Sequence, residues 1–428
     1  MKPFRPEVPR LWDDREMEQL ELPLARASYS LRQVSADYYY RIPVRPILKS
    51  YPVYARDREP ARYLEELARK EPVVVFDLGT LKTEQDWIRA GELVFDAPIL
   101  FDNISVDDVR DPAFLSRTGV PVAADGTIST LRYVVTEKEK VLLGSFSCGM
   151  CHTRVQPDGS IIKGAQGNFP GDRVKAFRLR RRAVQDPEDA LKLMRAAALF
   201  LFEVPWKDQD PAFEKWFNAP LERHLSVYDA IPPGVFARHR SSAFSPPQLP
   251  DLIGVRHRSY LDRSGLQQHH GPVDLMRYAA LNQGGDDVGS YRGFIPAAPD
   301  HKTPIDPATQ ERYSDEQLYA LALYISSLRP PPNPNPFDAI AQHGQKVFHT
   351  AGCAGCHTPP YYTNNKLLPV PGLRAPAEHR RKHDILDVPI GTDPTLTMQT
   401  RRGTGYYKVP SLLGFWYRGP FEHNGSLT

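Results

Sequence analysis

Along the chain the apolar and polar positions change period several times, and the clearest helical run lies in the last third. Ser314-Asp315-Glu316-Gln317 has the reciprocal capping pattern of a helix start, and Leu318, Leu321, Ala322, Ile325 and Leu328 follow on one helical face. Pro330-Pro331-Pro332-Asn333-Pro334-Asn335-Pro336 then lacks the amide donors that a helix or inner strand needs, which predicts a stiff spacer and a domain boundary. Helical spacing resumes from Phe337 to Phe348 and runs directly into Cys353. Val141-Leu142-Leu143 is a short apolar run of strand type just ahead of Cys148. The longest unbroken apolar stretch, Ala196 to Phe202, is far below the roughly 20 residues of a spanning helix, so no membrane span is expected.

Parts of this pattern occur twice. Gly91-Glu92-Leu93-Val94-Phe95 resembles Gly344-Gln345-Lys346-Val347-Phe348. The ten residues from Leu249 to Arg258 align without gaps on those from Val409 to Arg418, and the same offset of 160 places Gly265 on Gly425. Between these landmarks the cysteine pairs are offset by 205 residues and the helices by 253. The first copy therefore carries 48 extra residues before its cysteine pair and 45 after it. Each copy reads as a helix, a cysteine pair and a Pro-x-Leu-x-Gly loop.

At 428 residues the chain is long enough for two or three domains. Its 42 prolines are nearly twice the usual share of about 5%, which argues for many punctuated connections and against long coiled coils. Lys and Arg total 54 against 51 Asp and Glu, a net charge of +3, and such a balance calls for no nucleic-acid partner.

The four cysteines carry the chemistry. They form Cys148-Gly149-Met150-Cys151-His152 and Cys353-Ala354-Gly355-Cys356-His357, and no cysteine is left over. In the Cys-x-x-Cys-His pattern two thiols make thioethers to porphyrin vinyl groups, and the adjacent imidazole ligates the iron. A structural zinc site could also use two such pairs, but zinc gives no reason for a His after each one. A thioredoxin-like redox motif should follow a strand in a compact βαβ frame, and the second pair follows a helical pattern instead. Two covalently bound haem c groups are the expected cofactors, with His152 and His357 as proximal iron ligands.

The two motifs, together with Lys408-Val409-Pro410-Ser411-Leu412 and Gly419-Pro420-Phe421-Glu422-His423-Asn424-Gly425-Ser426, make the chain resemble the di-haem cytochrome c peroxidase and MauG superfamily, with the rubber oxygenases as more distant relatives. The resemblance covers roughly Trp87 to Thr428. It implies a mostly α protein with two cytochrome c-like domains in tandem and long loop insertions in the first. Residues 1–82 form an extension that matches nothing, where Tyr38, Tyr39 and Tyr40 read as packing. Residues 83–329 form the domain of the reactive haem, 330–336 the linker, and 337–428 the domain of the electron-transfer haem.

The implied activity is peroxidase-type: hydrogen peroxide, or dioxygen, reacts at the first haem, and electrons from a small donor protein (a cytochrome or cupredoxin) arrive through the second. A purely electron-carrying role, and a MauG-like or oxygenase activity on a larger organic substrate, are the alternatives. The latter is favoured if the two insertions build a cavity. Gln268-His269-His270-Gly271-Pro272 matches the family's distal Gln-x-x-Gly-Pro spacing, so Gln268, His269, His270 and Pro272 are candidates for the distal pocket. The acidic residue expected six positions beyond the Pro is Tyr278 here, and the family's Trp-Asp-Gly-Arg segment is replaced around Leu261-Asp262.

For the second iron, Met398 and His423 are the candidate sixth ligands within the chain. The family's usual ligand lies downstream of the His-Asn-Gly-Ser motif, so the domain is expected to be truncated at its C-terminus. The basic run Arg173, Lys175, Arg178, Arg180, Arg181 and Arg182 reads either as a solvated helical face or as a partner for haem propionates or an acidic donor. His379 and His383, spaced four apart among charges, read as an exposed helix. Haem c chemistry implies a periplasmic protein, although no apolar export segment follows Met1.

Overall fold

The structure, a computed structural model, describes residues 4–101, 103–206, 211–237, 245–284, 289–388 and 391–427. Seven helices and one sheet position the chemistry: α1 (Glu84–Asp96), α2 (Gly171–Gln185), α3 (Pro187–Phe202), α4 (Leu221–Ala230), α5 (Pro272–Gly284), α6 (Asp315–Ser327) and α7 (Ala339–Thr350), with β1 (Ser50–Tyr54), β2 (Leu100–Phe101), β3 (Thr127–Glu137) and β4 (Lys140–Ser145). Ser314 starts α6 as the sequence predicts: its Oγ accepts the Gln317 N–H at 3.1 Å, and the Gln317 side chain accepts the Ser314 N–H at 2.8 Å. The same box starts α1, between Thr83 and Asp86. The two helices cross at Gly91, where an added Cβ would lie 2.0 Å from the Ala320 carbonyl oxygen, so only a glycine permits the approach.

Residues ahead of α1 are built into the core that α1 and α6 share. Leu11, Trp12, Met17 and Tyr39 pack with Val94, Phe95, Leu318 and Leu321. Trp12 stacks on Tyr39 with ring centroids 4.1 Å apart, and the Tyr40 hydroxyl donates to Asp315 at 3.0 Å. Tyr39 and Tyr40 are therefore packing residues. The Pro-rich run after α6 has no regular structure, and all of it but Pro331 is exposed.

Helix makes up 39% and strand 14% of the chain, so the fold is mixed α/β and not mostly α. Much of the strand lies in the first insertion, and both insertions are folded elements and not loops. The one before the first motif supplies three strands of an antiparallel sheet with the order β1–β3–β4–β2. Thr127, Ile128, Thr130, Val134 and Val135 are β-branched residues in β3, and most of that strand is buried on both faces, so it lacks the alternation that marks a half-exposed strand. Beneath the sheet, Phe114, Leu131, Tyr133 and Leu143 share a core with Met150 and Cys151. The second insertion supplies α2, α3 and α4, joined in a further core through Ala176, Met194, Ala198, Leu225 and Tyr228. Among the described residues no helix is long and apolar enough to cross a membrane.

Candidate functional site

Strand β4 ends at Ser145 and hands the chain to Ser147, whose Oγ accepts the Met150 N–H at 3.0 Å and starts the single helical turn Cys148–Cys151. Three residues apart on one turn, the two thiols share a face. The His152 N–H closes the turn onto the Cys148 carbonyl at 2.9 Å. The His152 Nδ1–H donates to the Pro250 carbonyl at 2.9 Å, which sets the tautomer with Nε2 as the basic nitrogen, the form a metal-ligating imidazole takes.

The second motif repeats this arrangement. Gly352, at φ +77°, opens a 3₁₀ turn at Cys353–Gly355, and the His357 N–H donates to the Cys353 carbonyl at 2.9 Å. His357 Nδ1 lies 3.1 Å from the Pro410 carbonyl and 3.1 Å from that of Tyr362. Pro250 and Pro410 are related by the 160-residue offset seen in the sequence.

The two loops match in detail. Gly254 and Gly414 have φ of +74° and +77° and precede equivalent 3₁₀ turns, Val255–His257 and Phe415–Tyr417. Asp262 and Glu422 both have φ +66°. Leu261 pairs with Gln267 as Phe421 pairs with Leu427. The copies also exchange contacts. The Gln248 N–H donates to the His423 carbonyl at 2.8 Å, and the Lys408 N–H donates to the Arg263 carbonyl at 3.1 Å. The Gln248 side-chain amide donates to the Pro420 carbonyl, and Lys408 Nζ to the Tyr260 carbonyl at 3.0 Å. Each loop entry is thus held by the hairpin of the other copy. Across the same junction the Tyr417 hydroxyl donates to Asp251 Oδ2 at 3.2 Å, and its counterpart His257 stacks on Tyr361 at 3.9 Å.

A cavity of about 1020 Å³ is lined by Cys148, Cys151 and His152. Helices α2 and α3, from the second insertion, contribute Val174, Leu179, Met194 and Leu201 to its wall, and α5 contributes Leu275, Tyr278, Ala279 and Asn282. Lys175, Arg178, Arg181 and Arg182 of the basic run line it as well, so that run is not simply a solvated face. Arg178 and Arg181 pair with Asp108 at 3.3 and 2.8 Å, and Lys175 pairs with the buried Asp172 at 3.3 Å. The Tyr278 hydroxyl donates to Asp262 Oδ2 at 3.3 Å, and both residues line the cavity. Such a pair can hold or pass a proton.

The wall contains none of the four residues expected to form the distal pocket. Gln268 Nε2 lies 2.6 Å from His383 Nδ1, facing the helix Ala377–Lys382. His269 Nδ1 donates to the Arg258 carbonyl at 2.7 Å, and burial holds its pKa below the ordinary imidazole value. His270 is exposed and sits 3.1 Å from Asp274. Pro272 is exposed at the first position of α5, where its missing N–H costs nothing. The helix it starts, not the loop before it, faces the cavity. Tyr278, at the position where the resembling family carries an acid, is the residue of this segment that reaches the cavity together with a carboxylate. Its spacing from Pro272 was the signal, but only the fold reveals Asp262 as its partner.

Met398 packs in a small apolar cluster with Val370, Leu396 and Tyr407. His423 stands over Tyr407 with centroids 4.6 Å apart, its Nδ1 is 3.2 Å from Thr392 Oγ1, and burial lowers its pKa. Its Nε2 is buried with no hydrogen-bond partner among the described residues. Around the second motif the surface is open: Cys353 is exposed, and α7 has no buried residue. Ile340 of α7 is 80% exposed, and an added Cβ on Gly344 would meet nothing within 4 Å. In the first copy α6 covers the corresponding face of α1; no helix covers α7 among the described residues.

The two cysteine pairs do not converge. Among the described residues no group of three or more His, Cys, Asp or Glu side chains is placed to hold a metal ion between them. Each motif instead presents two thiols and a carbonyl-anchored imidazole, which is the donor set for a thioether-linked haem. Comparison with protein-family models, with curated proteins and with solved structures gives no match.

Proposed function

We propose that the chain is a two-haem c-type oxidoreductase in which the site at Cys148, Cys151 and His152 performs the chemistry and the site at Cys353, Cys356 and His357 exchanges electrons with a donor protein. The observation that carries this reading is the matched pair of bonds from His152 to Pro250 and from His357 to Pro410, at 2.9 and 3.1 Å. A structural zinc cluster or a dithiol redox centre would need neither the histidines nor their duplicated anchors. When bound, haem supplies an iron whose open position activates peroxide or dioxygen, or whose filled position stores an electron.

The residues of the chain divide the remaining work. His152, fixed through Nδ1, presents Nε2 as ligand. Tyr278 and Asp262 hold or deliver a proton within the cavity. Helices α2, α3 and α5 line that cavity. Open surface at Cys353 allows a small cytochrome or cupredoxin to approach, and the residues that anchor the two histidines, Pro250 and Pro410, line one cleft between the loops. Hydrogen peroxide is the leading oxidant, and haem c maturation places the protein in the periplasm.

One observation favours the second reading, oxidation of a larger organic substrate. The cavity wall carries the apolar Val174, Leu179, Met194 and Leu201 beside the cations of α2, and its volume sits at the upper end of the roughly 300–1,000 Å³ typical of ligand pockets. Optical spectra of the oxidised and reduced protein, with and without hydrogen peroxide, test the proposal. A high-spin haem that peroxide perturbs, beside a low-spin one, supports it. Two low-spin haems that ignore peroxide in every redox state would leave only electron carriage.

A further inference from the structure

Between the two His–Pro loops lies a cleft of about 20 Å³, lined by Arg258, Arg263, Lys408 and Arg418 with a single carboxylate, Asp251. Arg258 and Arg418, 13% and 11% exposed, are 3.9 and 3.7 Å from Asp251 Oδ2. Among the described residues the Arg263 guanidinium hydrogen-bonds backbone carbonyls, those of Leu249 at 3.2 Å and Gln248 at 3.4 Å. Lys408 Nζ likewise meets the Tyr260 carbonyl. Four cations thus line the cleft with Asp251, and Asp262 is the further carboxylate that acts on Arg263 and Lys408. Where water is scarce, such an excess of positive charge costs stability unless more negative charge is supplied. Burial beside Arg258 and Arg263 presses the Lys408 pKa well below its ordinary value.

The internal repeat keeps an arginine at both Arg258 and Arg418 but shows that the fold does not require the charges of Lys408 and Arg263. At the matching positions Gln248 stands for Lys408 and His423 for Arg263, and they make the same exchanged backbone bonds. The Gln248 amide also makes the bond that the Lys408 ammonium makes, to the carbonyl of the opposite hairpin. At these two positions neutral side chains serve on one side of the junction and cations on the other, so Lys408 and Arg263 answer to something besides packing.

We infer that this cleft is a binding site for an oxyanion, with Arg263 and Lys408 as its cationic ligands. Its volume accepts one oxygen-sized group. Pro250 and Arg263 line both the cleft and the large cavity, so an anion whose body lies in the cavity can place one oxygen between the cations. A carboxylate of a tetrapyrrole in the cavity would fit, and so would a free anion such as inorganic phosphate. The first source rests on the two-haem reading; the site itself does not.

Thermal unfolding of the full chain, with inorganic phosphate as probe against sodium chloride of equal ionic strength, tests the site. If a cofactor carboxylate fills it, the haem-loaded wild type ignores phosphate, while Cys148→Ala/Cys151→Ala protein gains a saturable rise in Tm that Lys408→Met removes. If a free oxyanion fills it, the loaded wild type shows that rise too, and Lys408→Met again removes it. No rise in either protein, or a rise that survives both Lys408→Met and Arg263→Gln, overturns the inference. Should the double-cysteine variant not fold, the reduction potential of the first haem decides. Losing the Lys408 charge beside a cofactor carboxylate lowers that potential, whereas an unchanged potential in a protein that ignores phosphate overturns the site. If the purified wild type carries no haem, the two-haem reading fails, yet a Lys408-dependent response to phosphate still establishes the oxyanion site.

Discussion

The backbone N–H of Lys408 donates to the carbonyl of Arg263 at 3.1 Å, and 160 residues earlier Gln248 makes the same bond to His423 in the opposite sense. Each half of the chain therefore completes the loop that anchors the other half's histidine. Separated halves lose these partners and leave backbone donors unsatisfied. Residues 337–428 expressed alone are expected to show no cooperative thermal transition, and the whole chain a single one. Independent folding of that fragment would contradict the exchange.

The glycines at the starts of the two copies should respond in opposite ways. At Gly91 an added methyl meets the Ala320 carbonyl, so Gly91→Ala forces α1 and α6 apart and should destabilise by roughly 1–3 kcal/mol. Gly344 has open space in α7, and Gly344→Ala should stabilise by roughly 0.5–1 kcal/mol through helix propensity. Chemical denaturation of both variants measures the contrast.

Acid should weaken the fold through His224. The ring is fully buried edge-on to Trp216 at 4.1 Å, and burial lowers its pKa to about 4. The unfolded imidazole takes up a proton near pH 6.5, at about its model-peptide value, while the folded one resists until about pH 4. Stability is thus fully present above that upper value and falls as the pH drops toward the lower one, by at most about 1.4 kcal/mol per pH unit for this one group. Unfolding free energies measured across this window should show a shallower slope in His224→Phe than in wild type.

Much of the site was legible in the sequence, because it is written in local spacing. The Cys-x-x-Cys-His turns, the Ser314 capping box and the ten-residue loop repeat all act over a few residues, and the structure keeps them in register. Three features depended on contacts across the chain. Buried on both faces, β3 offered no alternation to read. The extension from Phe4 to Lys82 joins the α1–α6 core through Trp12 and Tyr39, whose role emerges only when the helices meet. The cavity faces α5, so Tyr278 lines it while Gln268, His269 and His270 turn to other partners; loop spacing alone could not tell these outcomes apart.

That placement changes which residue should matter for turnover. Tyr278→Phe removes the hydroxyl paired with Asp262 and should slow peroxide consumption by about 10²-fold, the lower end of general acid–base effects. Gln268→Ala, away from the cavity and beside His383, should leave it essentially unchanged. Stopped-flow rates at a fixed peroxide concentration distinguish the two, and equal losses in both variants would restore Gln268 to the pocket.

The intact mass of the protein, taken after denaturation and compared with that of Cys148→Ala/Cys151→Ala, bears most directly on the two-haem reading. Two covalent haems in the wild type and one in the variant are the expected result, because each motif has its own thiol pair and its own anchored histidine. A wild type that carries no covalent porphyrin, or zinc in its place, would contradict it.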